Sequence, residues 1–225
     1  RAARPAARRL GLCFHVGSQC LDPAAYEGAL ALAGMVIEQA GVPVEVVDVG
    51  GGFPVSYPDV VPPPLGDYIA AVARGAGHLP PGVRLWCEPG RALVAPGESL
   101  VVQVLLRRGD SLYVNDGIYG ALSDAGPPSF RFPARLLRRE PSCAALRGFA
   151  LYGPTCDSAD RMNGPFLLPA DIAEGDWIEI GQIGAYGRAL RTGFNGFDRF
   201  VTVEVRDRPL LETPGYAEEA AEKVA

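Results

Sequence analysis

The order of strands and helices in the first ninety residues restricts the fold more than any other feature of this sequence. Three short apolar runs, residues 11–16, 44–49 and 83–87, each end in a turn, and a helical pattern separates each run from the next. Neighbouring parallel strands need a crossover connection, which a helix normally supplies. The sequence therefore predicts an α/β region with a parallel sheet.

Apolar residues at helical spacing mark both helices of this region. Asp22 and Pro23 are suited to the start of the first helix, and Gly41 ends its pattern. The apolar positions are expected to face the sheet. They are Tyr26, Leu30, Ala33 and Ile37 in the first helix and Tyr68, Ile69, Val72 and Ala73 in the second.

The alternation of strand and helix stops at the Ala-Pro-Gly turn of residues 95–97. Runs rich in Val, Leu and Tyr then follow, separated by Gly, Pro and Asp, which is typical of antiparallel strands. These runs are residues 99–106, 111–114, 130–137, 177–180 and 200–205. We therefore predict two domains, an α/β part over residues 1–95 and an antiparallel β domain over residues 96–225.

Composition narrows the functional classes. The formal net charge is −5, so nucleic-acid binding is not expected, and no apolar run approaches the roughly 20 residues that a membrane-spanning helix needs. The five cysteines are odd in number and form no CxxC pair, so neither a disulfide framework nor a metal site is predicted and a cytoplasmic location fits best. Lys223 is the single lysine, which leaves almost nothing for a mechanism that needs a buried lysine.

Glycine or polar residues follow each of the three predicted strands. The glycine run Gly50-Gly51-Gly52 either brings backbone amides close to an anion such as phosphate or is only a permissive loop. His15 is either a satisfied core residue or a planar ring that could stack on a flat cofactor. Glu88 needs a partner if it is buried, and Arg91 is either that partner or a phosphate ligand. Local pattern leaves both interpretations of each residue open.

Two stretches of the second half combine turns with reactive or aromatic side chains. Cys156 and Asp157 lie side by side in the turn of residues 153–158, an arrangement that fits a reactive role and a structural one equally. Residues 184–186 and 193–197 combine small and aromatic residues, which by themselves indicate core packing with turns.

Seven motifs occur in an order that resembles the ornithine/diaminopimelate/arginine decarboxylases. They are HVGS (15–18), DVGGGFP (48–54), EPGR (88–91), YVNDGIYG (113–120), GPTCDS (153–158), GAY (184–186) and FNGF (194–197). Members of that family are pyridoxal 5′-phosphate enzymes of the alanine-racemase-like fold. The resemblance spans residues 11–205 and implies the C-terminal part of a (β/α)8 barrel followed by an antiparallel β domain.

The resemblance also implies which residues hold the cofactor. His15 would stack on the pyridine ring, and Glu88 would pair with the ring nitrogen so that the cofactor acts as an electron sink. Both residues are therefore catalytic candidates. The remaining cofactor-binding positions, mostly phosphate ligands, would be Ser18, Gly50, Gly51, Gly52, Gly90, Arg91 and Tyr186.

For the second domain the resemblance implies a substrate site shared within a homodimer. Cys156 would reach from one subunit into the partner's site and protonate the carbon that has lost carbon dioxide. Asp157 would bind the distal amine of a basic amino acid, Asp124 would substitute for a second substrate-side aspartate, and Phe194 would line the site. The Cys-Asp pair and FNGF look more like the ornithine type than the diaminopimelate type. Ornithine, giving putrescine for polyamine biosynthesis, is the preferred substrate over lysine or arginine.

The lysine that forms a Schiff base with the cofactor lies on an early barrel strand in the family, a position to which nothing in this sequence corresponds. One expectation is that the chain is a fragment of a decarboxylase, inactive alone and less stable than its parent because an incomplete barrel exposes sheet edges. The other is a non-catalytic relative that binds partners, as antizyme inhibitors do. The presence of Glu88, Arg91 and Cys156 favours the first.

Overall fold

The strands of this chain form two separate sheets, each within its own unit of the structure. The structure, a computed structural model, describes residues 2–128 and 130–215, so Lys223 lies outside the described residues. The first unit comprises Arg1–Val55 and Pro62–Leu93, and the second comprises Ser56–Val61 and Val94–Ala225. Only the described residues of each unit are considered below.

Three short parallel strands form the sheet of the first unit. They are β1 (Gly11–Cys13), β2 (Val46–Asp48) and β3 (Arg84–Trp86), in the order β1-β2-β3. The last residues of the three strands are aligned with one another, so the carboxyl ends lie side by side at one edge of the sheet. The predicted parallel sheet is confirmed, and its register brings together the three loops that carry the first-half motifs.

The first helix, α1 (Ala24–Ala40), follows the prediction closely. Pro23 precedes it with a φ of −56°, and the amide of Ala24 donates to Asp22 Oδ1 at 2.9 Å. The helix ends at Gly41, whose φ of 59° is left-handed and favours glycine. All four predicted apolar positions are buried: Tyr26, Leu30, Ala33 and Ile37.

The second helix, α2 (Leu65–Ala76), buries a different face from the predicted one. Tyr68 is buried as expected, but Ile69 and Ala73 are exposed. The buried small residues are Ala71 and Gly75. A Cβ at Gly75 would lie 2.7 Å from Leu30 Cδ1 of α1, so the two helices approach through small residues and leave the larger apolar ones outside. Among the described helices, which also include α3 (Arg91–Val94), none is long and apolar enough to cross a membrane.

A six-stranded sheet forms the second unit. Its strands are β4 (Leu100–Arg108), β5 (Ser111–Val114), β6 (Ala134–Leu137), β7 (Leu146–Tyr152), β8 (Arg161–Pro169) and β9 (Trp177–Ile180). Their order is β6-β9-β4-β5-β7-β8. Every neighbouring pair is antiparallel except β5 and β7, which are parallel, so the sheet is mixed rather than wholly antiparallel.

Two of the predicted strands of this domain differ from the structure. The run of residues 130–137 becomes strand only from Ala134, because Phe130 and Phe132 pack on Tyr57 with ring centroids 5.5 and 5.3 Å away. Residues 200–205 form no strand, and Val201 is 88% exposed. Their apolar alternation is real, but no strand among the described residues pairs with them.

Candidate active site

The loops that follow β1, β2 and β3 approach one another so closely that the glycine run has no room for side chains. Gly50 and Gly52 have φ values of +69° and +95°. A Cβ at Gly50 would lie 2.2 Å from the Phe14 carbonyl oxygen, and one at Gly52 would lie 2.4 Å from the Gly17 carbonyl oxygen. The glycine run is therefore a requirement of the packing as well as a permissive loop.

Each carbonyl of the glycine run accepts a hydrogen bond from a different segment. The donors are the Glu88 amide (2.8 Å), the Tyr26 hydroxyl (2.9 Å) and the Cys20 amide (2.9 Å). Burial raises the pKa of Tyr26 above its ordinary value, so this hydroxyl keeps its proton. Within residues 2–128 and 130–215 no acceptor is bonded to the amides of Gly51 and Gly52. These two amides suit an anionic ligand.

Arg91 lies at the start of α3, after the short loop that follows β3, and is only 4% exposed. Its Nη2 donates to Ser18 Oγ at 3.2 Å, which joins the loops after β1 and β3. Gly90 accepts from the Leu93 amide at 3.0 Å and closes the first turn of α3. A buried guanidinium beside a serine hydroxyl is well suited to phosphate.

Glu88 and His15 are both exposed, which corrects the two structural interpretations considered for them. No ion pair joins Glu88 to Arg91 in the part of the chain that the structure describes, and an exposed carboxylate needs no such partner. His15 is not a core histidine; its Nδ1 accepts from the Gly17 amide at 2.9 Å. Its Nε2 would lie 3.6 Å from a Cβ at Gly51, so the ring borders the glycine run.

In the second unit, buried Asp160 holds two of the motif loops together. It is 2% exposed, and its carboxylate accepts from the Ile118 amide (2.9 Å) and from both the amide (3.1 Å) and the hydroxyl (2.7 Å) of Thr155. A Cβ at Gly117 or Gly153 would lie within 2.2 Å of a carboxylate oxygen of Asp160. These glycines therefore make room for the carboxylate.

Asp116 is a second carboxylate that holds the loop containing Tyr119 in place. Its Oδ1 accepts from the amides of Gly117 and Ala121, both at 2.8 Å. Its Oδ2 forms a salt bridge of 2.6 Å with Arg191 Nη1, and both side chains are nearly buried. The loop that carries Tyr119 is thereby fixed to the segment that leads into FNGF.

The candidate residue Asp157 forms a short hydrogen bond with Tyr119. The hydroxyl of Tyr119 donates to Asp157 Oδ2 at 2.6 Å, and the Ala159 amide donates to Asp157 Oδ1 at 2.9 Å. The hydrogen bond lowers the pKa of Asp157 and raises that of Tyr119, so Asp157 is a carboxylate at neutral pH. The rings of Tyr119 and Phe194 are 4.5 Å apart.

Cys156 lies beside this pair, exposed and in a left-handed conformation with a φ of 60°. Asn195, also left-handed at 51°, donates from Nδ2 to the Thr155 carbonyl at 2.8 Å and lies 3.9 Å from Cys156 Sγ. Cys156, Asp157 and Phe194 are thus brought into one cluster. Phe194 is 41% exposed, which corrects its interpretation as core packing.

Tyr186 is bonded to Ser123, the residue before Asp124, in the second unit. The carbonyl of Tyr186 accepts from Ser123 Oγ at 3.3 Å, and Asp124 follows in the 3-10 turn Ser123–Ala125. Tyr186 is partly exposed, whereas Ala185 before it is buried. The described residues contain no group of three or more His, Cys, Asp and Glu that could hold a metal ion.

Four residues important to this geometry were not singled out from the sequence: Asp116, Tyr119, Asp160 and Asn195. Asp116, Tyr119 and Asn195 lie within the recognised motifs, and Asp160 lies two residues after one; Gly117 and Gly153, which make room for Asp160, also belong to motifs. Those glycines were the available signal. They show where a carboxylate could turn inward, but not that it does.

Two family models match adjacent parts of the chain, together covering residues 4–184. Residues 4–95 match the pyridoxal binding domain of the pyridoxal-dependent decarboxylases, and residues 96–184 match the C-terminal sheet domain of the same enzymes. The first match ends and the second begins within the Ala-Pro-Gly turn of residues 95–97.

Individual relatives agree with this match. The lysine/ornithine decarboxylase of Selenomonas ruminantium is 31% identical over 207 residues, which are 89% of this chain and 51% of that protein. Antizyme inhibitor 2 of Xenopus laevis is 33% identical over 214 residues, which are 84% of this chain and 46% of that protein. The chain thus spans about half the length of the curated relatives it matches.

A solved structure shows the same fold. The lysine/ornithine decarboxylase of Vibrio vulnificus, complexed with cadaverine, is 34% identical with a TM-score of 0.71, covering 88% of this chain and 55% of that one. The family models, the two relatives and this structure all agree with what the order of the motifs implies. The chain belongs to the ornithine/diaminopimelate/arginine family of pyridoxal-dependent decarboxylases.

Proposed function

We propose that this chain is the part of a decarboxylase that binds pyridoxal 5′-phosphate and contributes to the site for a basic amino acid. The observation that carries the proposal is buried Arg91, bonded to Ser18 beside a glycine run with two amides that lack a protein acceptor. Phosphate is the ligand that such a combination suits.

The residues at the strand ends divide into a phosphate group and a ring group. Arg91, Ser18 and the glycine run hold the phosphate, with Gly90 and Tyr186 completing the proposed set. His15 offers a flat ring, and Glu88 an exposed carboxylate that holds a proton on the pyridine nitrogen. Bound pyridoxal 5′-phosphate supplies an electron sink when the substrate's carboxylate departs as carbon dioxide.

The second unit supplies the substrate-side groups of this proposal. Asp157 is ionised because Tyr119 and the Ala159 amide donate to it, and a carboxylate suits the distal ammonium group of a basic amino acid. Phe194 packs along the methylene chain, and Asp124 is a second acidic candidate. Ornithine is our preferred substrate, in polyamine biosynthesis. The relative from Selenomonas ruminantium, which is named a lysine/ornithine decarboxylase, supports this choice.

We further propose a cytoplasmic homodimer in which Cys156 and Asp157 act in the partner's cofactor site. The family resemblance supports the shared site, and all five cysteines being free supports a reducing compartment. Co-expressing an Arg91→Ala subunit with a Cys156→Ala subunit of the intact protein tests the sharing. Mixed dimers then regain a fraction of the lost activity, whereas sites built within one subunit stay inactive.

Cofactor binding by the chain tests directly whether Arg91 holds the phosphate. Pyridoxal 5′-phosphate is titrated and followed by calorimetry, with inorganic phosphate as competitor. Arg91→Ala is expected to weaken binding at least about tenfold, because a charge-assisted contact to phosphate is lost. Arg84→Ala removes an exposed arginine of the same unit and serves as the control. Equal affinities for wild type and Arg91→Ala would refute the assignment.

Substrate choice is tested on the intact protein that contains this chain. L-ornithine, L-lysine, L-arginine and meso-diaminopimelate are supplied in turn, and the amine or amino acid product is measured by chromatography. We expect the highest kcat/KM with ornithine. A protein that binds none of them and releases no carbon dioxide would instead support a non-catalytic role, which the similarity to an antizyme inhibitor makes a defined alternative.

A further inference from the structure

Thr155, the residue before Cys156, is held by side chains at its amide, its hydroxyl and its carbonyl. Asp160 accepts from the amide and hydroxyl of Thr155, at 3.1 and 2.7 Å. Asn195 donates to the Thr155 carbonyl at 2.8 Å. The backbone immediately before Cys156 is therefore fixed, whereas the Cys156 side chain is exposed.

Asn195 has a second hydrogen on the nitrogen that bonds to Thr155. An asparagine amide carries two donors, and Nδ2 lies 3.9 Å from Cys156 Sγ. Both Asn195 and Cys156 have left-handed backbones, at 51° and 60°. Asparagine tolerates that conformation well, whereas cysteine needs surrounding contacts to stay in it.

We propose that Asn195 is a positioning residue that holds Cys156 in its left-handed conformation and directs an amide hydrogen at its sulfur. The proposal rests on the proposed function only for the role of Cys156 as the proton donor. In that step the S–H bond breaks, its electron pair stays on sulfur, and the proton bonds to the substrate carbon. An amide hydrogen beside the sulfur stabilises the resulting thiolate, which then takes a proton from water.

The pH dependence of alkylation measures this effect without cofactor or substrate. Iodoacetamide reacts with the thiolate, so the rate at Cys156 is followed from pH 6 to 10 by peptide-resolved mass spectrometry. Cys143, an exposed cysteine of the same unit, is the internal reference. Asn195→Gly keeps the left-handed backbone but removes the amide, and Asn195→Asp keeps the shape but replaces the donor with a negative charge. Asn163→Ala changes an exposed asparagine of β8 as the control.

Alkylation of Cys156 in Asn195→Gly is expected to be about threefold to tenfold slower at pH 7.5 than in wild type, because a donor to the charged sulfur is lost. Asn195→Asp should be slower still, and Cys143 should react alike in every variant. Circular dichroism identifies a variant that fails to fold, and the other variant then decides the result. Wild-type profiles at Cys156 in the folded variants would overturn the proposal, while failure to bind cofactor would overturn only the proposed function.

Discussion

The two units use different hydrogen-bond acceptors to hold their functional loops in place. In the first unit, the three carbonyls of the glycine run accept hydrogen bonds from the Glu88 amide, the Tyr26 hydroxyl and the Cys20 amide, which join the glycine run to three other segments. In the second unit, Asp116 and Asp160 are buried and accept from the loop amides. One region is thus held by close approach of the main chain and the other by internal charge.

The difference has a chemical consequence. A loop whose carbonyls turn inward leaves amides for an anion, which suits a phosphate group. A loop held by carboxylates keeps its amides occupied, so side chains such as Cys156 and Asp157 supply its chemistry. The first unit should therefore be sensitive to added bulk, and the second to the loss of a charge.

The largest effect is expected from Asp160→Ala. The change leaves the Ile118 amide and both donors of Thr155 without their acceptor in a buried position. We expect the free energy of unfolding of the second unit to fall by about 4 kcal/mol, since each buried unpaired donor costs about 1–3 kcal/mol. Urea unfolding in a Trp86→Phe background follows this unit through Trp177, its remaining tryptophan.

Asp110→Ala is the matched control for that change. Asp110 pairs with Arg147 at the surface of the same unit, with half of each side chain exposed, and should contribute less than about 1 kcal/mol. If both variants unfold at the same urea concentration, buried carboxylates do not hold the second unit, and the contrast between the two units fails.

Gly50→Ala should have the next largest effect, this time in the first unit. The new Cβ would lie 2.2 Å from the Phe14 carbonyl oxygen, at a φ of +69°. Left-handed strain and overpacking together predict a loss of about 3 kcal/mol. A Trp177→Phe background leaves Trp86 to report the unfolding of this unit.

Gly28→Ala separates the packing effect from any general response to alanine. Gly28 lies within α1, and a Cβ there meets nothing within 4 Å. Alanine in that helix should stabilise the unit by about 0.5–1 kcal/mol. Equal destabilisation by both substitutions would show that the glycine run is not specially crowded.

The sequence was most informative about the first unit. Alternating strands and helices predicted the parallel sheet, and helical spacing identified the buried face of α1. For α2 the same spacing failed, because Gly75 and Ala71 permit a close helix contact that apolar periodicity does not reveal. Strands β7 and β8 were not among the predicted runs, so the parallel pairing of β5 with β7 was missed as well.

The candidate site shows a similar limit. Motif order located the residues at the strand ends and the Cys156-Asp157 turn. It did not show that Arg91 bonds to Ser18 rather than to Glu88, because residues 73 positions apart give no local signal. Nor did it distinguish the inward-facing Asp160 from Asp157 in the same turn, since burial depends on the loops that close over each carboxylate.

Tyr119→Phe should produce the smallest of these effects, a change in pH dependence within the second unit. The Tyr119 hydroxyl is the main cause of the lowered pKa of Asp157, so its removal should raise that pKa toward the ordinary value, with the Ala159 amide still donating. A lowered folded-state pKa adds stability above the unfolded-state value, near about pH 4, and that stability is lost as the pH falls through the folded-state value.

The difference in unfolding free energy between wild type and Tyr119→Phe should therefore be constant above about pH 5 and shrink below about pH 4. Urea unfolding from pH 3 to 7, followed through Trp177, measures it, and carbon NMR of the Asp157 carboxyl gives the pKa itself. Tyr113→Phe removes a hydroxyl of the same unit that bonds to no residue among those described, and its effect should not vary with pH. If the two variants show the same pH profile, the Tyr119 hydroxyl does not set the charge of Asp157, and internal charge in this unit would be confined to Asp116 and Asp160.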